Sequence, residues 1–176
     1  GRLAEAGLGD QGVYGVLDAG IVAERGCAAS CAGAKVSGGV ASGSRLGVQG
    51  REALGNDVSA VFTVEAGIHN DTGQSEEGRL FGRQAYVGLD SRLGALTLGR
   101  QYNLQYLTLT DVADPFKGGM AGSASNLAGY SVKRYDNTVK YVTPALRGVT
   151  ASAIYSFGES PYSSANNRAY GATLGY

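Results

Sequence analysis

The sequence predicts an all-β protein, an antiparallel up-and-down transmembrane β-barrel, and three observations predict it. Short segments alternate apolar and polar side chains with a period of two. The connections between those segments alternate short and long. The composition, finally, is rich in small and aromatic residues and poor in charge: 29 Gly, 11 Tyr and 17% charged residues in 176, with a net charge of zero. A soluble domain ordinarily carries about 25% charged residues and about 7% Gly. No run approaches the ~20 apolar residues of a membrane helix. A membrane-crossing form is therefore a closed sheet, the one other architecture that satisfies its own backbone in lipid. The absence of a basic excess excludes nucleic acid as a partner, because nothing offsets the phosphates.

The elements follow in chain order. Residues 12–24 place Val13, Leu17, Ala19 and Ile21 on one face and Asp18 and Glu24 on the other. Residues 44–54 oppose Leu46 and Val48 to Arg45, Gln49 and Arg51. The cleanest alternation lies in residues 57–67, where Val58, Ala60, Phe62, Val64 and Ala66 face away from Asp57, Ser59, Thr63 and Glu65. Residues 80–103 read as two strands joined at Asp90–Gly94, although alternation sets Arg83 beside Phe81, Ala85 and Val87. In residues 134–143, Tyr135, Val139 and Tyr141 oppose Arg134, Asp136, Thr138 and Lys140. Residues 148–158 and 168–176 complete about eight strands, each with the spacing of a strand that has one apolar face.

The connections separate a barrel from a sandwich. Short ones fall at Gly55-Asn56-Asp57, Asp90–Gly94 and Pro144–Gly148, and long ones at about 25–43, 68–79, 103–133 and 158–167. Outer-membrane barrels have short turns on one side and long loops on the other, whereas a Greek-key sandwich gives no reason for that rhythm. The strand segments carry six charges, Arg45, Arg83, Arg134, Lys140, Asp18 and Glu65. Inside a small closed barrel these charges would need dense pairing, since a buried unpaired ion costs several kcal/mol. A wide aqueous lumen removes that penalty but takes about sixteen strands. The chain is accordingly read as one barrel unit over residues 1–176, half of a 16-stranded whole. Residues 1–11 are read as a flexible leader, and residues 103–133 are the longest connection.

Site chemistry is sparse. Cys27 and Cys31 are candidates for a small-loop disulfide, with two free thiols as the alternative. The lone His69 is distant in sequence, so no zinc-like ligand set forms. Gly38–Ser44 has phosphate-loop spacing without the lysine. Glu76-Glu77 reads as a solvated pair aimed nowhere in particular. No catalytic constellation, metal or cofactor is expected.

The segments GVYGVLDAGI, SRLGVQGREALG, AVFTVEAG, LFGRQAYVGL, GALTLGRQYN and YDNTVKYVTPALRGVTASAIYSFGE follow one another through residues 12–176. In that order they resemble the general trimeric porins of Gram-negative outer membranes, the betaproteobacterial branch above all, and match their N-terminal half. The resemblance implies an outer-membrane channel for passive diffusion of small hydrophilic solutes and ions, assembled as a homotrimer in outer-membrane lipid. It implies that residues 103–133 fold inward as the third loop and make a constriction, in which Arg45, Arg83 and Arg134 on the wall face that loop's acids, Asp111 and Asp114, with Glu65 on the lumen face by alternation. Arg100 is read as a local ion pair or a contact with the second loop of a neighbour. Tyr86, Tyr135, Tyr141, Tyr155, Tyr170 and Tyr176 are girdle candidates. Two rival readings stand beside this one: a closed eight-stranded barrel serving as a structural or adhesive anchor, and a soluble ligand-binding barrel.

Overall fold

The structure, a computed structural model, describes residues 10–23, 33–116, 118–119, 132–158 and 167–176. Cys27, Cys31, Glu24, Lys117 and residues 1–9 of the expected leader lie outside the described residues. The strands are β1 (Asp10–Val16), β2 (Ala19–Ala23), β3 (Ala34–Gly38), β4 (Arg45–Gly55), β5 (Val58–His69), β6 (Gln74–Ser75), β7 (Gln84–Ser91), β8 (Gly94–Tyr102), β9 (Arg134–Val142), β10 (Thr150–Ser156) and β11 (Ala169–Gly175). A short helix, α1 (Leu104–Thr108), runs into a π-helical turn at Leu109–Ala113.

The sheet is an antiparallel meander in the order β1-β4-β5-β7-β8-β9-β10-β11, with β6 attached to β5. Among the described residues β1 pairs with β4 and β11 with β10, so the sheet is open, not closed. An open meander does not fit the closed eight-stranded anchor. Tight turns set its register. At the β4–β5 hairpin Asn56 and Asp57 both hold positive φ, 52° and 59°, the conformation that two-residue hairpins require. Arg92 of the next short turn reaches across to Asp57 at 2.6 Å, tying the two turns together.

Register assigns the faces. Tyr14↔Gly47↔Glu65↔Gln84 and Gly12↔Gln49↔Thr63↔Tyr86 share one face, and Val13↔Val48↔Val64↔Ala85 the other. Burial then runs inside-out. Ser59, Thr63, Glu65, Thr97, Gln101, Thr138 and Ser156 are buried, while Leu104 and Ile154 are the buried hydrophobics among the described residues. Val13, Val87, Leu89, Leu96, Leu98, Tyr170 and Leu174 are exposed. The polar face is the inner one. Gln101, fully buried, accepts from the Thr97 hydroxyl at 2.6 Å and donates to Thr138 at 3.0 Å. Such pairing lets polar groups be buried without an unmet bond.

Three sequence expectations are corrected here. The first strand is not continuous over 12–24. It starts at Asp10, inside the expected leader, and breaks at Leu17-Asp18, where Ser44 exchanges hydrogen bonds with the Asp18 backbone and the Asp18 carboxylate accepts from Ala41 N. The chain leaves the main sheet there to form the β2–β3 hairpin. Tyr86 is not a girdle residue: it lies on the inner face, its hydroxyl accepting from Thr63 at 3.1 Å. In β9 a bulge at Asn137 (φ 52°) shifts the register against β8, so that simple alternation fails through Asp136.

Candidate functional site

Glu65 sits at the centre of the inner face. Its side chain is 5% exposed, and a buried carboxylate is tolerable only when paired and hydrogen-bonded. Tyr14 donates to one oxygen at 2.7 Å and Arg83 Nε to the other at 2.7 Å, with Arg45 Nε at 3.8 Å. The Tyr14 ring reaches Glu65 by lying over Gly47, where an added Cβ would come within 2.5 Å of a ring carbon.

Arg83 reaches this site against its sequence parity. It stands one residue before β7, in a bend after Gly82, and its backbone N–H donates to Glu65 O at 3.2 Å. The bend swings the side chain inward. Its remaining nitrogens donate to Glu76 at 2.9 Å and to the Tyr102 hydroxyl at 2.7 Å. Gly67 leaves room for this pair, since a Cβ there would strike the Glu76 carboxylate and lie 3.1 Å from Arg83 Cδ.

Arg134 approaches from β9. It donates to Glu77 at 2.5 Å and to the same Tyr102 hydroxyl at 3.0 Å, and its guanidinium lies 4.6 Å from the Tyr102 ring centre. Tyr102 stacks on Tyr106 of α1, centroids 5.1 Å apart and 11° from parallel. Lys133 Nζ lies 5.9 Å from the Tyr106 ring centre. Asn103 caps α1 by accepting from Tyr106 N at 2.6 Å and donates to Val132 O at 2.5 Å. One residue thus starts the helix and ties down the end of its loop.

Glu76 and Glu77 do point somewhere, which corrects the sequence reading. They join the 70–82 loop to three arginines: Glu76 to Arg83, and Glu77 to both Arg134 and Arg100. Arg100 also pairs with Asp136 at 2.7 Å, as Arg79 does at 2.8 Å, so Arg100 has its ion pairs within its own chain. Burial pushes the Glu76 carboxyl up, but the Arg83 bond and charge, with Arg134 and Lys133 behind, hold it below its ordinary value.

These groups line one polar cavity of about 440 Å³. Arg45, Arg83, Arg134, Glu65 and Asp111 all border it, together with Glu76, Tyr102, Tyr106, Lys133 and His69. Asp114 does not. It is buried, its oxygens accepting from Phe116 N at 2.8 Å and Gly118 N at 2.9 Å, which folds the turn after the π-helical segment. Leu107 of α1 and Thr110 of the π-helical turn border the same cavity, and α1 contacts β10 and β11. Among the described residues no cluster of His, Cys, Asp and Glu suits a metal ion.

Comparison with known proteins agrees with this architecture. The family profile described as Gram-negative porin matches residues 6–176. The chain belongs to the Gram-negative porin family. It is 42% identical over 123 residues to an outer membrane porin protein of Bordetella pertussis, covering 68% of this chain and 32% of that one. An anion-selective porin from Comamonas acidovorans superimposes with a TM-score of 0.75 at 27% identity, over 94% of this chain and 53% of that one. In-vitro folded OmpT of Vibrio cholerae, in its trimer form, gives a TM-score of 0.59 at 19% identity, over 86% and 42%, a likeness of fold alone. This porin chain therefore spans about a third of the curated relative and about half of the first solved one. Membership places it in the outer membrane of a Gram-negative cell, in a family of channels and not of enzymes.

Proposed function

We propose that the chain forms part of a water-filled channel for passive diffusion of small hydrophilic solutes and ions. The observation that carries this is the inside-out sheet: an inner face of paired polar and charged groups around a 440 Å³ cavity, backed by an outer face of exposed hydrophobics. Lipid on one side and water on the other account for both. The open sheet completes to about sixteen strands in the whole protein, since an aqueous lumen requires that number, and the channel assembles as a homotrimer. The 103–133 segment narrows the lumen, with Arg45, Arg83, Arg134, Glu65 and Asp111 at the narrowing. Asp114 shapes the loop instead of facing the stream. Fixed charge on such a wall tunes which ions pass. The basic groups outnumber the acids among the named lining residues, which supports an anion preference like that of the anion-selective Comamonas porin.

The test is planar-bilayer recording with protein extracted from outer membranes. Stepwise conductance in groups of three, with chloride favoured over potassium, is the expected result. A silent bilayer from correctly folded protein overturns the channel.

A further inference from the structure

We propose that the outer face of β9, β10 and β11 holds one anionic glycerophospholipid per protomer, its acyl chain in an apolar groove and its phosphate on Arg147. This rests on the outer face lying against lipid, and it goes beyond the channel. The groove has a volume of about 440 Å³. Leu96↔Tyr141↔Ala153↔Ala172 forms one row across the outer face, and Ala151↔Leu174 belongs to the next. The three alanines make the floor, between Tyr141 of β9 and Leu174 of β11. An empty groove forfeits the contacts of its lining, and a hydrocarbon chain restores them.

The groove runs to the short-turn end of the sheet. Thr143 and Ala151 both border it, the Thr143 N–H donating to Ala151 O at 2.9 Å. Beyond them Leu146 and Val149 close a two-residue turn, each N–H donating to the other's carbonyl at 2.9 and 3.0 Å. Arg147 and Gly148 are its central residues, with φ of 51° and 85°. Two consecutive left-handed positions suit Asn-Gly, and arginine is a strained choice for the first. Nothing in the turn offsets that strain. Arg147 is exposed and in no salt bridge among the described residues, whereas Arg92 of the neighbouring short turn pairs with Asp57. A residue held against its local preference points to a role outside its own turn. A guanidinium without a counter-charge, at the end of an apolar groove, complements a phosphate joined to acyl chains, because it can meet the phosphate with two parallel hydrogen bonds. The depth fits as well. Leu93 and Leu146 are exposed on adjacent short turns, and the Tyr141 hydroxyl donates to Leu93 O, an apolar ring with a polar tip as at a membrane interface.

The experiment is native mass spectrometry of the whole porin, purified from outer membranes, stripped of lipid in detergent and offered phosphatidylglycerol or phosphatidylcholine. Wild type is expected to retain one phosphatidylglycerol per protomer in preference to phosphatidylcholine. One basic group at a lipid surface changes affinity about fivefold, and R147N should weaken phosphatidylglycerol retention by about that factor. Asn suits the turn better than Arg, so R147N should melt no lower than wild type, which separates lost binding from lost folding. A153L should fill the groove and abolish retention of either lipid, and R92Q should leave retention unchanged. R147N that holds phosphatidylglycerol as tightly as wild type would overturn the assignment. So would equal retention of the two lipids by wild type, a loss in R92Q as large as that in R147N, or unchanged retention in A153L. A153L that releases protomers instead of lipid would give the groove to a second copy and overturn it too. A silent planar bilayer from protein with the expected lipid pattern refutes the channel alone, which is a separate failure.

Discussion

At the scale of single residues, the centre of the inner face is one buried carboxylate and the groups that make it tolerable. Glu65 and Arg83 are both nearly inaccessible, so their pairing is not discounted by water as a surface pair would be. Truncating Arg83 to Met strands Glu65 with Tyr14 and the more distant Arg45. The expected cost is about 3–5 kcal/mol, the range for breaking a buried pair from one side. Replacing both partners, R83M with E65Q, should recover most of that loss, because no buried charge is then left over. Urea titration of the folded barrel measures both. A single mutant that costs under about 1 kcal/mol would mean that water reaches the pair after all.

Arg83 also marks how far alternation can be read. The period of two assigned Val58, Ala60, Phe62 and Val64 to the outer face and Ser59, Thr63 and Glu65 to the inner one, and the register agrees. It assigned Arg83 to the apolar face, since one bend ahead of a strand reverses every parity upstream of it and leaves no trace in spacing. The same blindness hid the partners of Glu76 and Glu77. Which arginines they meet depends on the path of the 70–82 loop over β8 and β9, and that path is a matter of tertiary contact, not of local pattern. Family resemblance brought Arg45, Arg83 and Arg134 together without the alternation, and all three border the cavity. It did not separate Asp111, which borders the cavity, from Asp114, which closes a turn.

At the scale of elements, the 70–82 loop is a strap fastened by carboxylates, and its fastening depends on pH. Glu76 titrates in the folded protein below its ordinary value of 4.5. The sign follows from linkage. A carboxylate with a lowered folded value contributes stability that is complete above its unfolded value and is lost as the pH falls through the lowered one. The strap should therefore stay fastened from neutrality down to the ordinary carboxylate range and loosen only in stronger acid. The protection factor over residues 70–82, with the intrinsic pH dependence of amide exchange divided out, should stay constant from neutrality down to the ordinary carboxylate range and fall in stronger acid. E76Q should show at neutral pH the lowered protection factor that wild type reaches in acid. Equal protection of the two proteins at neutrality would show that Glu76 does not hold the loop. Helix α1 has its own fastening at Asn103, where Ala should cost about 1 kcal/mol or more through the lost cap and should loosen α1 ahead of the sheet, as proteolysis within residues 103–113 would report.

At the scale of the whole molecule, two media meet the two faces of one sheet, and neighbouring residues can tell them apart. Val48 and Gln49 are consecutive in β4. Val48 pairs with Val13 and Val64 on the outer face, and Gln49 with Gly12 and Thr63 on the inner one. Both are exposed, so burial alone predicts no difference between them. The medium does. A lysine at the lipid-facing midplane of a barrel costs about 2–4 kcal/mol, while lumen substitutions chiefly tune selectivity. V48K should therefore lower folding stability in lipid bilayers by that amount, and Q49K should stay within about 0.5 kcal/mol. In detergent micelles, which adapt to a charge more readily than a bilayer does, the gap should narrow. Were the sheet instead the wall of a soluble ligand-binding barrel, the two lysines would behave alike in lipid and out of it. Equal stabilities for V48K and Q49K in bilayers would thus refute the assignment of the outer face to lipid, and the proposed water-filled channel would lose its main support with it.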